Sequence, residues 1–451
     1  MDMSAFGITE DTTIQQTFSD NRTRRQSVRN PFLKTTREKE KPVLRHRPKE
    51  NWGQVADKYW LAVPPTKREK WSSRIVWMGM GVGGLLVILF AVLGYLDAAT
   101  PATCKLFDDD FRYGTLDTNL WRYEISTGGG NAGSFEWTTD STDNAFVKDG
   151  KLHIRPTLVE TYPEGTTFNL TADGTCTDPY FWCSMTQNST AGTTINPIKS
   201  AKLSTKISMQ YGEAQIKVKF PKGDWIWSQI QLNPDDDFYG AYPANGQIVL
   251  AQTRGNSYQY SQGGNDNLDS FLAYGPDGFV GLGQTLGANK KLKFTDFSDG
   301  FHVIGIVWTP THIRTWVDDP VNTMLLAQWN KFGGFWKKGG WQKEIFAGVF
   351  DPWSVAYPSL AAPFDRHFHL TLQLGVGGMN GIFDDDQPWQ LSEGRDTAMT
   401  EFRAANTTWY KEWPTGDDRD LIVDSITMRQ QCVVKPTTYK DTGDKWTGIV
   451  Y

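Results

Sequence analysis

Three regimes of hydrophobic patterning follow one another along the 451 residues. From residue 1 to about 74, Ser, Thr, Asn and basic positions dominate and large apolar side chains are sparse, which predicts a disordered tail. Residues 75–96 then run 22 positions without a charge, including Gly83-Gly84-Leu85-Leu86-Val87-Ile88-Leu89-Phe90. That is long enough to cross a bilayer as a helix, for which about 20 apolar residues suffice. From Cys104 onward, strand-like runs at 202–208, 214–220, 301–308, 312–317 and 367–374 alternate with Gly, Asp, Asn and Pro turns. This punctuation predicts an all-β sandwich, with no long amphipathic helix and no internal repeat. The expected organisation is a tail over 1–74, a membrane helix over 75–96 and a β-sandwich over 97–451.

Charge sharpens that division. Residues 1–74 hold 16 Lys+Arg against 9 Asp+Glu, while the rest holds 30 against 42, so the formal net charge of -5 combines a basic piece and an acidic one. Lys67, Arg68, Lys70 and Arg74 precede the apolar run and Asp97 follows it. The positive-inside rule then predicts a cytosolic N-terminus and a luminal or extracellular β-domain, a type II single-pass arrangement. The run lies too far from the N-terminus for a conventional cleaved signal peptide. Gly79, Gly81, Gly83 and Gly84 would let another helix approach, a weak signal by itself. With the tail held beside lipid, its basic clusters read as solvated chain or as contacts to anionic lipid, and nucleic acid is not an expected partner.

All four cysteines, Cys104, Cys176, Cys183 and Cys432, follow the apolar run. An even count in an oxidising compartment predicts two disulfides. Cys176 with Cys183 would close a short loop and Cys104 with Cys432 would clamp the first and last strands; two other connectivities stay open. Their spacing and the lack of nearby His argue against a metal site, and no cofactor motif is present. Asn169, Asn188 and Asn406 head glycosylation sequons in the same half.

The most informative stretch is Gly246-Gln247-Ile248-Val249-Leu250-Ala251-Gln252. Positions 247 and 249 of a strand share a face, and 252 joins them only if a bulge adds one residue. Such bulges are common beside active sites. A carboxamide is nearly isosteric with a carboxylate, yet it cannot carry a nucleophile's charge or donate an acid's proton at neutral pH.

Several segments, taken in order, resemble fungal laminarinase-like members of glycoside hydrolase family 16, a group that includes animal β-1,3-glucan recognition proteins. They are Gly133-Ser134-Phe135-Glu136-Trp137, Val147-Lys148-Asp149-Gly150-Lys151-Leu152, Gly223-Asp224-Trp225-Ile226-Trp227, Thr253-Arg254-Gly255-Asn256, Phe301-His302 leading to Trp308-Thr309-Pro310, Ala362-Pro363-Phe364-Asp365, Gly377-Gly378-Met379-Asn380-Gly381, Pro388-Trp389 and Trp409-x-x-x-Trp413-Pro414. The resemblance covers about residues 104–432 and implies a concanavalin A-like jelly-roll β-sandwich. It also implies a catalytic pattern Glu-x-Asp-x-x-Glu, in which the first Glu attacks the sugar and the last protonates the leaving oxygen. Retaining hydrolysis needs that pair roughly 5 Å apart. Here the three positions are Gln247, Val249 and Gln252. The family's cleft Trp corresponds to Gln231, its His-Trp-Gly-Pro to Ala273-Tyr274-Gly275-Pro276, and an expected Asn to Gln373.

Framework motifs survive while cleft motifs do not, which is the pattern of a pseudoenzyme. The expectation is a membrane-embedded, catalytically inactive protein that binds or organises β-1,3-glucan at a fungal cell surface, with no catalytic residue. By match to the family's cleft rim, Trp225, Trp227, Tyr239, Tyr242, Trp389, Gln247 and Gln252 are the candidate sugar contacts, with plain packing the rival reading for the aromatics. Among acids that could replace the lost pair, Asp235, Asp236 and Asp237 read as a solvated turn. Asp266, Asp269 and Asp277 read as loop residues, and Glu213 as a solvent-facing strand start. His302 and His312 match framework positions. One rival reading is an active endo-β-1,3-glucanase or transglycosylase using displaced acids. The other is a structural partner in wall assembly, with protein partners and no sugar contact.

Overall fold

The computed structural model describes residues 64, 66–98, 103–128, 133–179, 182–276, 282–343, 346, 348–354 and 359–432. The tail predicted to be disordered lies almost wholly outside the described residues, as does Asp277. The chain divides into two units, Met1–Asp97 and Ala98–Tyr451.

The described residues of the first unit form one helix, α1 (Lys67–Ala98), whose described side chains are all exposed. Its Lys67–Gly94 portion is long and apolar enough to cross a membrane. It begins eight residues earlier than the uncharged run. Thr66 and Glu69 form a reciprocal cap: the Thr66 N–H donates to Glu69 Oε2 at 2.8 Å and the Glu69 N–H donates to Thr66 Oγ1 at 3.3 Å. This capping box satisfies free amides at the helix start, so the basic residues 67–74, assigned to the tail from sequence, form its first two turns.

The second unit is built on two antiparallel sheets. The eight-stranded one runs in the order β18 (Thr323–Gln328), β17 (His312–Val317), β16 (His302–Trp308), β11 (Gly212–Lys219), β20 (Leu421–Gln431), β5 (Lys151–Ile154) and β4 (Ala145–Lys148), with β1 (Thr103–Asp109) also paired to β20. The seven-stranded one runs β15 (Gln284–Lys291), β14 (Asn267–Tyr274), β13 (Gln247–Arg254), β12 (Ile226–Pro234), β19 (Phe368–Val376), β10 (Lys202–Met209) and β2 (Trp121–Tyr123). The five strand runs read from the sequence all become strands, shifted by two residues or fewer at either end. In β11 the pattern is plain: Ala214, Ile216 and Val218 enter the core while Gln215 and Lys217 face out. In β19 all nine residues are buried. Phe368, Leu370, Leu372, Leu374 and Val376 join the core, leaving His369, Thr371 and Gln373 on the opposite face.

A smaller body is built from two connections, β2 to β4 and β5 to β10. It comprises the sheet β3 (Glu136–Thr138), β9 (Ile198–Ser200) and β6 (Thr157–Leu158) and the hairpin β7 (Thr167–Asn169) with β8 (Ser184–Thr186). Ile125, Trp137, Leu170, Cys183, Met185 and Ile195 form its own core. Both favoured disulfides are present, Cys176–Cys183 here and Cys104–Cys432 joining the ends of β1 and β20. A ten-residue helix, Arg395–Ala404, buries Ala398, Met399 and Phe402.

Candidate functional site

Gly246 turns the chain into β13 with φ +74°, and a Cβ there would fall 2.9 Å from both Phe364 and Pro363. Only glycine suits that turn. Along β13, Val249 pairs with Gln231 and Ala251 with Ile230, so Leu250 has no partner on β12. The β14 side slips at the same point, from Val249↔Phe271 to Gln252↔Asp269. Ile248, Leu250 and Ala251 all enter the core. The bulge therefore returns Gln252 to the outer face of the sheet, beside Gln247 and Val249.

Register sets the outer-face side chains in rows. One row crosses five strands as Asp269, Gln252, Gln229, Gln373 and Lys202. The next is Phe271, Val249, Gln231, Thr371, Ser204 and, on β2, Arg122. A third begins at Ala273 and Gln247 and continues through Asn233 and His369. Gln229, Gln231 and Gln373 are 1%, 1% and 0% exposed, whereas Gln247, Gln252 and Asp269 keep part of their surface. Among the described residues, Gln231 Oε1 and both polar atoms of the Gln373 side chain have no hydrogen-bond partner.

Hydrogen bonds link the rows in one direction. Gln247 Nε2 donates to Asn233 Oδ1 at 3.0 Å, and Asn233 Nδ2 donates to Thr371 Oγ1 at 3.1 Å. Thr371 Oγ1 lies 2.8 Å from Ser204 Oγ, which donates to Glu124 Oε1. Ser204 spends its proton on Glu124, so Thr371 is the donor between the two hydroxyls. The chain ends at a carboxylate held by Lys202 Nζ, 2.7 Å from Glu124 Oε2. Burial would raise the Glu124 pKa, but Lys202, Ser204 and the nearby His369 outweigh it and hold the group at about 2. Glu124 is thus a fixed anion, unsuited to proton donation. Beside it, Arg122 Nη2 lies 3.1 Å from His369 Nε2, and His369 Nδ1 lies 2.8 Å from Asp235 Oδ1. An arginine only donates, so Nε2 accepts and the Nδ1 proton points at Asp235.

Asp269 differs from its sequence-based placement. It lies within β14, directly across from Gln252 on the outer face, rather than in a loop. Burial raises its pKa, against Arg254 and an Asn267 Nδ2 contact at 3.1 Å that lower it. The signal was legible in the alternation of Leu268, Leu272 and Tyr274, which enter the core, with Asp269 and Phe271. Asp266 is buried, 3.2 Å from Lys291. Asp235 is engaged by His369 rather than merely solvated. Glu213 accepts from Thr103, and His302 pairs with Asp318 at 3.0 Å.

Four of the five candidate aromatics are packed. Trp225 makes edge contacts with Tyr260, Phe383 and Trp389. Trp227 and Trp389 are fully buried, each indole N–H donating at 3.0 Å, to Gly377 O and Gly378 O respectively. The Tyr239 hydroxyl donates to Asp365 at 2.9 Å and its ring is buried. Buried rings offer no free face for stacking, so packing is the role the structure gives these four. Tyr242 is 56% exposed. Of the sequon asparagines, Asn169 is exposed, and Asn188 and Asn406 are half-buried.

Away from this face, His153, Asp417 and Asp420 cluster with metal-like spacing. Arg155 already serves as their cation, with Nη2 2.7 Å from Asp417 and 2.6 Å from Asp420.

The sequence aligns with a β-1,3-glucan-binding protein of Penaeus monodon at 31% identity over 339 residues, covering 71% of this chain and 87% of that protein. The chain belongs to the laminarinase-like, β-1,3-glucan-binding group of glycoside hydrolase family 16. A β-1,3-glucan-binding protein of Tenebrio molitor is 28% identical over 323 residues, 68% of this chain and 62% of the insect protein. A glucan endo-1,3-beta-glucosidase A1 of Niallia circulans is 28% identical over 295 residues, 62% of this chain and 35% of the bacterial protein. The chain thus spans less than two thirds of both these longer relatives. The solved laminarinase of Rhodothermus marinus has a TM-score of 0.47 at 21% identity, covering 74% of this chain and 100% of that one. No model of a known protein family matches the sequence. The positions read from the sequence as departures from the family's cleft motifs lie together. Gln231, Gln247, Val249, Gln252, Ala273 and Gln373 occupy the three adjacent rows on the outer face of one sheet.

Proposed function

We propose that the β-domain binds β-1,3-glucan on the outer face of the seven-stranded sheet without hydrolysing it, and that α1 anchors it in a membrane. The observation that carries the reading is the β13 bulge, which aligns Gln247, Val249 and Gln252 on one face with no carboxylate among them. Neutral carboxamides still donate to and accept from sugar hydroxyls, but neither nucleophilic attack nor acid catalysis is open to them. The names of the Penaeus and Tenebrio relatives support the ligand class. Gln247, Gln252 and Tyr242, which retain exposed surface, are the contacts from the sequence-derived set that we assign to the glycan. Trp225, Trp227, Tyr239 and Trp389 support the wall behind them.

The basic first turns of α1 favour a cytosolic N-terminus, with the β-domain outside or in a secretory lumen, where its disulfides and the sequons at Asn169, Asn188 and Asn406 belong. A second reading, residual glycosidase activity, draws on Asp269 alone, whose raised pKa and place beside Gln252 suit a proton donor.

The purified protein incubated with laminarin separates these readings. Binding without release of reducing sugar is the expected outcome. Turnover abolished by Asp269→Asn would support the second reading, and absence of both binding and turnover would shift the role to protein partners. The triple variant Gln247→Glu, Val249→Asp, Gln252→Glu is expected to gain measurable laminarin hydrolysis over an inactive parent.

A further inference from the structure

The departures on the outer face leave Gln231 where the family resemblance implies a cleft tryptophan, yet one edge of that face carries a tryptophan outside the family motifs. Residues 122, 124, 126 and 128 alternate along the segment that leaves β2, and Glu124 is placed on the outer face by its bonds to Lys202 and Ser204. Ser126 lies two residues further on, and Gly128 shares its side, a Cβ there falling 3.3 Å from Ser126 Oγ. The Cys176–Cys183 loop is laid against them: Ser126 Oγ donates to Asp178 Oδ2 at 2.8 Å, and the Thr127 N–H donates to Trp182 O at 2.9 Å. A Cβ on Gly128 would fall 2.9 Å from both Cβ and Cγ of Trp182, so the root of the indole is seated on bare backbone. Trp182 nevertheless remains 57% exposed. Among the described tryptophans of the β-domain, it is the only exposed one.

A large apolar side chain pinned by a disulfide loop, seated on glycine and left in water gains nothing for the fold from its exposed face. A flat ring bearing axial C–H groups would cover that face, and the seating of Trp182 on Gly128 before binding lowers the entropic cost. We propose that Trp182 is the aromatic platform of this site, stacking on a sugar ring of a β-linked glucan whose hydroxyls meet the polar rows beyond Lys202 and Glu124. This inference rests on the glucan-binding reading and adds a residue and a direction of approach to it.

The test is isothermal titration of laminarihexaose into the full-length protein in detergent micelles, comparing wild type, Trp182→Ala and Trp182→Phe. Removing the indole should weaken binding about tenfold, equivalent to ~1.4 kcal/mol, with the melting temperature unchanged. Phenylalanine, which keeps an aromatic face, should cost about threefold or less. Equal affinity of wild type and Trp182→Ala would overturn the platform while leaving glucan binding intact. No binding by wild type would overturn both. In case the alanine variant misfolds, N-bromosuccinimide oxidation of wild type, mapped by mass spectrometry, is a second readout: saturating laminarihexaose should protect Trp182, and undiminished oxidation would count against the proposal.

Discussion

At position 247 a glutamine amide donates to Asn233, and the bonds beyond it all point the same way, towards Glu124. A carboxylate at 247 would place an acceptor against an acceptor, so Gln247→Glu by itself requires the whole series to reverse. The far end has a measurable signature. Glu124 titrates at about 2 in the fold against 4.5 when free. Its ion pair therefore contributes stability fully above about pH 4.5, and that contribution disappears as the pH falls towards 2. Melting curves between pH 7 and 2 should show an acid-side loss that is smaller in Glu124→Gln. Gln373 offers the opposite case, a buried carboxamide with both polar atoms unpartnered among the described residues. Replacing it with methionine, similar in length and apolar, should leave stability unchanged or raise it by about 1 kcal/mol in urea unfolding.

Among the elements, β5 is tied to the turn before β20 by Arg155, which reaches the fully buried Asp420 and half-buried Asp417 at once. Removing the guanidinium leaves a buried carboxylate with His153 as its remaining ring partner. Arg155→Ala should cost about 3 kcal/mol in chemical denaturation, far more than loss of the exposed Lys105–Asp108 pair. The elements also show how far a sequence reads. The strands over 202–209 and 312–317 were legible because their β-branched and aromatic runs are bounded by turn residues. The bulge at Leu250 was legible because only an extra residue brings 247, 249 and 252 to one face. The strand identity of Asp269 was missed although Leu268, Leu272 and Tyr274 alternate towards the core, because the preceding polar run Asn265, Asp266 and Asn267 resembles a loop until pairing with β13 and β15 is known. Trp227 and Trp389 were read as rim residues because their motif neighbours are, but burial depends on what the remainder of the chain lays over them. The start of α1 turned on Thr66 and Glu69, a two-residue signal beside a much louder run of apolar positions.

For the molecule as a whole, the bridge between Cys104 and Cys432 spans a sequence separation of 328. It closes nearly the entire β-domain into one covalent loop. Cys104→Ser with Cys432→Ser should lower stability by about 2–5 kcal/mol, seen as a fall in melting temperature that reduction of the wild type reproduces. The position of the bridge has a mechanical meaning too. β1 pairs with β20 from Thr103↔Gln431 to Asp109↔Ile426. A pull applied to the chain ahead of Thr103 would reach the β-domain at the end of β1, where unassisted strands unzip by losing their hydrogen bonds in succession. With a covalent link at the first tooth, the load passes across to β20 in the interior of its sheet, and the strand can be strained without being peeled away.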